Sequence, residues 1–242
     1  MREDTALTDH ADHGAGAEPD EPSTPAPDGK VVGESRWPMV GAVLAAALLT
    51  ILLPDRLTFG PSWLVPAGEG VLLLVLVFGD PGRITRRARA LRVASIALVA
   101  MLAFSAFWDT ANLVKELVSG GPATNSASEL LSTGSIIFLC NAIAFALLYW
   151  ELDGGGPAAR AHRVPRYPSF AFPQQMNAEL APPGWRPRFA DYLYIGITNS
   201  VAFSPTDAMP QALWAKAAMA VQATISLVLL GLVLARAVNV LT

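Results

Sequence analysis

The sequence predicts an all-α polytopic membrane protein, with four spanning helices, a re-entrant pore-like helix and a long fifth spanning helix. Three observations carry that reading. Hydrophobic residues make up 52 % of the 242-residue chain and charged residues only 15 %, with a mean hydropathy of +0.40, whereas soluble domains carry about a quarter charged residues. Apolar runs long enough to cross a hydrocarbon core of about 30 Å recur along the chain. Between the last two runs lies a half-length apolar stretch followed by polar, turn-forming residues. Irregular backbone survives at membrane depth only when it is buried in protein or lines water.

Residues 1–36 are rich in Asp, Glu, Gly, Pro and Ala, with almost no large apolar groups. Such a segment cannot bury enough surface to offset its ordering entropy, so it reads as a disordered cytoplasmic tail. It lacks the basic start and apolar stretch of a signal peptide. Residues 37–129 follow as three membrane helices: WPMVGAVLAAALLTILLP (37–54), SWLVPAGEGVLLLVLVFG (62–79) and LRVASIALVAMLAFSAFW (91–108). Residues 130–242 form a pore-like module. It comprises an outer helix beginning LLSTGSIIFLC, a polar crossing at 151–188, a re-entrant helix and loop at 189–209, and an inner helix at 210–241. A rival reading makes 189–204 a short sixth span, which puts the C-terminus inside.

Basic residues set the orientation. Arg2, Lys30 and Arg36 precede the first helix, Arg83 to Arg92 follow the second, and Arg160 to Arg188 follow the fourth. The positive-inside tendency makes all three segments cytoplasmic, in a cell-membrane protein with a cytoplasmic N-terminus.

Composition also excludes several functions. A net charge of −3 offers no basic face for nucleic acid. The single cysteine, Cys140, lies in an apolar run, and two of the three histidines, His10 and His13, lie in the tail. No metal site, cofactor site or catalytic set is expected, and the chain does not read as an enzyme.

Polar residues inside the membrane are the candidates for function. Glu69 stands between Gly68 and Gly70, three residues after Pro66. An ionisable group in a spanning helix is by default a functional hypothesis, and a helix broken by Pro and Gly exposes carbonyls that could help hold a cation or proton. Paired carboxylates could support a proton relay, but no two acids share a helix face within the membrane. Asn141 and Gln222 read as interhelical hydrogen-bonders. Glu151 and Asp153 are expected to pair with Arg160, Arg186 or Arg188.

The half-length stretch FADYLYIGIT (189–198) runs into NSVAFSPTDAMP (199–210). Asp207 and Thr206, just before Pro210, also suit the start of a helix. Together with the outer and inner helices, this segment resembles the two-helix potassium channel pore. Thr198 lies where pore helices end in threonine, and Asp207-Ala-Met-Pro210 is similar to the Asp-x-x-Pro that follows that family's filter. Aligned on Asp207, however, Ala202 to Thr206 replace the filter and both of its glycines are gone. Glycine reaches backbone angles there that other residues reach only at a cost. The chain as a whole resembles a group of uncharacterised actinobacterial-type integral membrane proteins through YWELDGGGPAAR, WRPRFADYLY, NSVAFSPTDAMP and ARAVN. That group implies an architecture and no activity; the likeness to the channel pore, with its filter glycines missing, implies a weakly or non-selective ion path for a monovalent cation. It would be lined by Thr198, Asn199, Ser200, Ser204, Thr206 and Asp207 in a homo-oligomer within the bilayer. The alternatives are a partner-binding subunit without transport, or a small-solute or proton transporter using Glu69.

Overall fold

Apolar runs become helices wherever capping chemistry allows, and the computed structural model shows where each begins and ends. It describes residues 33–85, 88–120, 126–162, 167–177, 179, 181–182, 184–204 and 207–241. Most of residues 1–36, read above as a disordered tail, lie outside that set. Its last residues do not stay free: β1 (Glu34–Ser35) pairs antiparallel with β2 (Arg83–Ile84).

Helix α1 (Trp37–Ile51) starts with Pro38 in its first turn, where the missing N–H costs nothing. Helix α2 (Leu64–Gly79) carries Pro66 in its first turn for the same reason and continues unbroken through Gly68 and Gly70. The interruption expected around Glu69 is therefore absent. Helix α3 (Arg89–Ser119) has 31 residues and ends where Gly120 takes the left-handed conformation, φ 74°, a turn that favours glycine. It extends eleven residues beyond Trp108, the end expected from hydropathy, so Asp109 lies inside the helix. Helix α4 (Ala127–Leu152) is capped by Ser126, whose hydroxyl accepts from the Glu129 N–H at 3.4 Å.

The segment after α4 carries several short elements among its described residues. It contains a 3-10 turn at Asp153–Gly155, α5 (Pro157–Ala161), β3 (Phe170–Ala171) and α6 (Pro173–Met176). Helix α7 (Phe189–Ala202) has 14 residues and stops at Phe203, which adopts φ 55°. Strand β4 (Met209–Pro210) pairs antiparallel with β3, and α8 (Leu213–Leu241) closes the chain. The inner helix thus begins three residues later than Pro210, and Asp207 does not cap it.

Three helices, α3, α4 and α8, are long and apolar enough to cross a membrane, while α1 and α2 are shorter apolar helices. Helix α4 is central, packing against α1, α3, α7 and α8. Its small residues let neighbours approach: a Cβ on Gly134 would lie 3.0 Å from Val233 on α8. Two apolar clusters result. One, around Tyr149, Trp150, Phe170 and Tyr192, fills the end where α4 finishes. The other, around Leu57, Leu113, Leu130 and Leu229, fills the opposite end. There Arg56 bridges Glu116 at 3.2 Å and Glu129 at 2.6 Å, closing the connection between α1 and α2 onto α3 and α4.

Helices α7 and α8 run in the same direction. Phe170 stacks edge-on to Tyr192 near the start of α7, with ring centroids 6.3 Å apart, and to Trp214 near the start of α8 at 5.8 Å. Further along, Asn199 on α7 bonds to Met219 and Gln222 on α8. The connection between them therefore returns to the level at which α7 began. There the Gln211 N–H donates to the Ser169 carbonyl at 2.8 Å.

Candidate functional site

The end of α4 holds the start of α7 through buried acids. The Asp153 carboxylate accepts from the Ser169 N–H at 2.6 Å, the Phe170 N–H at 3.3 Å and the Tyr192 hydroxyl. Arg160 donates to the Trp150 and Asp153 carbonyls, each at 2.7 Å, and lies 5.1 Å from the Tyr192 ring centroid. Glu151 pairs with Arg92 on α3 and accepts from the Ser95 hydroxyl at 2.6 Å. Asp153 holds the described part of the 151–188 crossing, as its position suggested, whereas Glu151 ties the end of α4 to α3. Their partners differ from those expected: Asp153 takes backbone donors and a tyrosine, and Glu151 takes an arginine from the preceding basic segment.

Glu34, just before α1, reaches the same place. It accepts from Trp150 Nε1 at 2.9 Å and from the Phe189 N–H that opens α7. A carboxylate here suits the positive end of the α7 dipole. Burial nevertheless holds Glu34 above the ordinary carboxylate range, outweighing the Trp150 and Phe189 hydrogen bonds and the nearby Arg160 charge. A raised folded-state value means that the protonated form suits the fold. The stability this provides is full below the unfolded value and is lost as pH rises through the folded one. Thermal unfolding in detergent should fall across that window in the wild type. Glu34→Gln, which keeps an acceptor oxygen, should flatten the dependence.

Four polar side chains lock α7 between α4 and α8. Gln222 is fully buried. Its Nε2 donates to the Gly196 carbonyl and the Ser200 hydroxyl, each at 2.8 Å. Its Oε1 accepts from the Tyr149 hydroxyl at 2.6 Å and from Asn199 Nδ2 at 2.8 Å. Asn199 also donates to the Met219 carbonyl at 3.0 Å, and the Ser200 hydroxyl donates to the Gly196 carbonyl at 2.9 Å. Asn199 and Ser200 are 1 % and 0 % exposed, so they face the protein interior and not a water path. This corrects the sequence reading of these two residues. The Thr198 hydroxyl bonds back to the Tyr194 carbonyl at 2.8 Å. Ser204 and Asp207 are exposed on the returning segment, and Thr206 lies outside the described residues.

Glu69 meets a second acid that hydropathy hid. It is 2 % exposed and Asp109 is 1 % exposed, and the two carboxyls lie within electrostatic reach of each other. The Ser105 hydroxyl donates to Asp109 Oδ2 at 3.4 Å. Glu69 Oε2 and Asp109 Oδ1 have no hydrogen-bond partner among the described residues. The sequence reading has no two acids sharing a helix face within the membrane, and this pairing arises instead between two helices. Its cause is the eleven extra residues of α3, which carry Asp109 from a supposed loop into the bundle.

Among the described residues, no group of three or more His, Cys, Asp or Glu side chains could hold a metal ion. No family model, curated protein or solved structure matches the chain.

Proposed function

We propose that this is a membrane protein whose α7–α8 segment is a re-entrant pore loop, passing monovalent cations with weak or no selectivity in a homo-oligomer. One observation carries the reading. Helix α7 is about 21 Å long, too short to cross, and the chain then returns to the end it started from before α8 begins. That path favours a re-entrant element over a sixth span. It leaves irregular backbone at 203–204 and 207–208, with Ser204 and Asp207 exposed, at a depth where such backbone needs protein or water beside it. The last carbonyls of α7 point the same way, with the negative end of its dipole favouring a cation. The path consists of this returning segment, with Ser204 and Asp207 on it, while Asn199 and Ser200 serve as its frame. Apolar exposed residues on the two helices, including Ile197, Val201, Val221 and Val228, supply a face for neighbouring copies or lipid.

Four spanning helices before the re-entrant one, with α1 and α2 completing their crossings through flanking residues, put the N-terminus and the 151–188 segment on one side. Arg36, Arg83, Arg89, Arg92 and Arg160 fall at that end, which favours the cytoplasm of a cell membrane.

The test is cation flux through the purified protein in liposomes, comparing potassium, sodium and protons. Asp207→Asn is expected to lower cation flux about tenfold at low ionic strength, and less at high salt, because mouth charges concentrate counter-ions and are screened. Inserted, correctly folded protein without flux would favour a second reading, a packed membrane subunit. The fully satisfied Gln222 network is the observation on that side.

A further inference from the structure

We propose that Glu69 and Asp109 form an intramembrane proton-binding site, separate from the returning segment between α7 and α8. Each comes from a different helix, and each is at least 98 % buried by its 2 % and 1 % exposure. Each also carries a carboxyl oxygen without a hydrogen-bond partner among the described residues. Unmatched polar atoms in hydrocarbon-like surroundings cost several kcal/mol apiece, and an acid in a spanning helix marks a site by default. Two buried acids from two helices, within electrostatic reach of each other, call for a positive occupant.

Among the described residues, the surrounding elements offer no other cation to fill that role: on α3 itself Arg92 pairs with Glu151 and Lys115 is exposed. Helix α1 carries no ionisable side chain, and α2 carries none besides Glu69. Helix α4 presents Cys140, within electrostatic reach of both acids, and its remaining acids, Glu129 and Glu151, are paired with Arg56 and Arg92. On α8 the only basic residues are Lys216 near its start and Arg236 near its end. Arg236 sits beside Gly120, where a Cβ on the glycine would lie 3.8 Å from the guanidinium. The polar groups of the site are the two carboxyls and the Ser105 hydroxyl. A proton needs only one donor oxygen and one facing acceptor. Shared between Glu69 and Asp109, it removes both the mutual repulsion and the cost of two bare charges.

Such a site holds one proton in the first four helices, independently of whether the returning segment conducts. The Cys140 thiol on α4 is held toward α1 by contacts with Thr50, 3.9 Å away, and the Ala46 carbonyl, at 3.8 Å.

The test uses the full wild-type chain in liposomes and a hydrophobic carbodiimide, which reacts with protonated carboxyls inside membranes, mapped by mass spectrometry. The expected result is one adduct per chain, on Glu69 or on Asp109 but never on both. Labelling should fall about tenfold per pH unit once the proton is lost, the limiting slope for one titrating proton. Glu69→Gln and Asp109→Asn should each change labelling of the other residue, since the proton belongs to the pair. Absence of labelling at any pH would overturn the proposal. So would protection by sodium at constant pH, which assigns the site to a metal ion, or two adducts on one chain, which makes the acids independent. Because the wild type itself is labelled, a variant that fails to insert leaves the test standing.

Discussion

Gly196→Val is expected to unseat α7 and cost about 2–4 kcal/mol of stability, more than any surface change on the same helix. A Cβ at position 196 would stand 2.8 Å from the Ala142 carbonyl oxygen and 3.1 Å from the Ala146 Cβ. The first contact is with α4 backbone, which cannot swing aside as a side chain can. Valine adds two methyl groups to that clash, so α7 must withdraw from α4. The Gly196 carbonyl moves with it, and that oxygen accepts from both Ser200 and Gln222. Steric expulsion and polar loss therefore act together, which is why the effect exceeds simple overpacking. Small residues at membrane helix crossings serve this close approach in general. Denaturant unfolding in detergent measures the effect. Gly196→Ala should fall between wild type and valine, and equal stability of all three would show that α7 is not seated on α4.

Gln222→Leu is expected to lower stability by about 2–3 kcal/mol for a different reason. Leucine has similar bulk but leaves the Tyr149 hydroxyl without its acceptor and Ser200 without its link to α8, and leaves Asn199 only its bond to the Met219 carbonyl there. Stranding a buried polar group costs about 1–3 kcal/mol, whereas removing both partners can be nearly neutral. Adding Tyr149→Phe to Gln222→Leu should therefore restore part of the loss. The double-mutant cycle gives a coupling of about 0.5–2 kcal/mol, in line with interhelical bonds in membranes. Additive losses would mean that the Tyr149–Gln222 bond contributes nothing of its own.

The helical fold was legible because apolar length is a strong signal. The three long helices α3, α4 and α8 correspond to runs visible in composition alone. Boundaries were less legible where polar residues turned out to be buried. Asp109-Thr110 after Trp108 looks like the end of a span, yet the Thr110 hydroxyl satisfies itself on the Ala106 carbonyl at 2.7 Å and the helix continues. The only signal for Asp109 was the need of Glu69 for something to face. Pro66 and the flanking glycines suggested a break, but proline in a first turn removes no bond.

At the returning segment, residue type misled in the opposite direction. Thr198, Asn199 and Ser200 form a polar run that reads as a water-lined path, and helical geometry separates them. Asn199 and Ser200 turn inward to Gln222, 22 or more residues away in sequence, a partnership that no local pattern encodes. Gln222 was recognised as an interhelical hydrogen-bonder, though its partners were not. The contact of Glu34 with the start of α7 spans 155 residues and was equally invisible. It brings the end of the supposed tail onto the start of α7.

The most direct test of the returning path compares two single cysteines in a Cys140→Ala background, probed by a charged water-soluble thiol reagent during liposome flux. The account predicts that Ser204→Cys reacts and blocks cation flux, while Ser200→Cys, buried against Gln222, stays protected. Reaction at position 200 with protection at 204 would contradict it, and so would flux untouched by modification at 204.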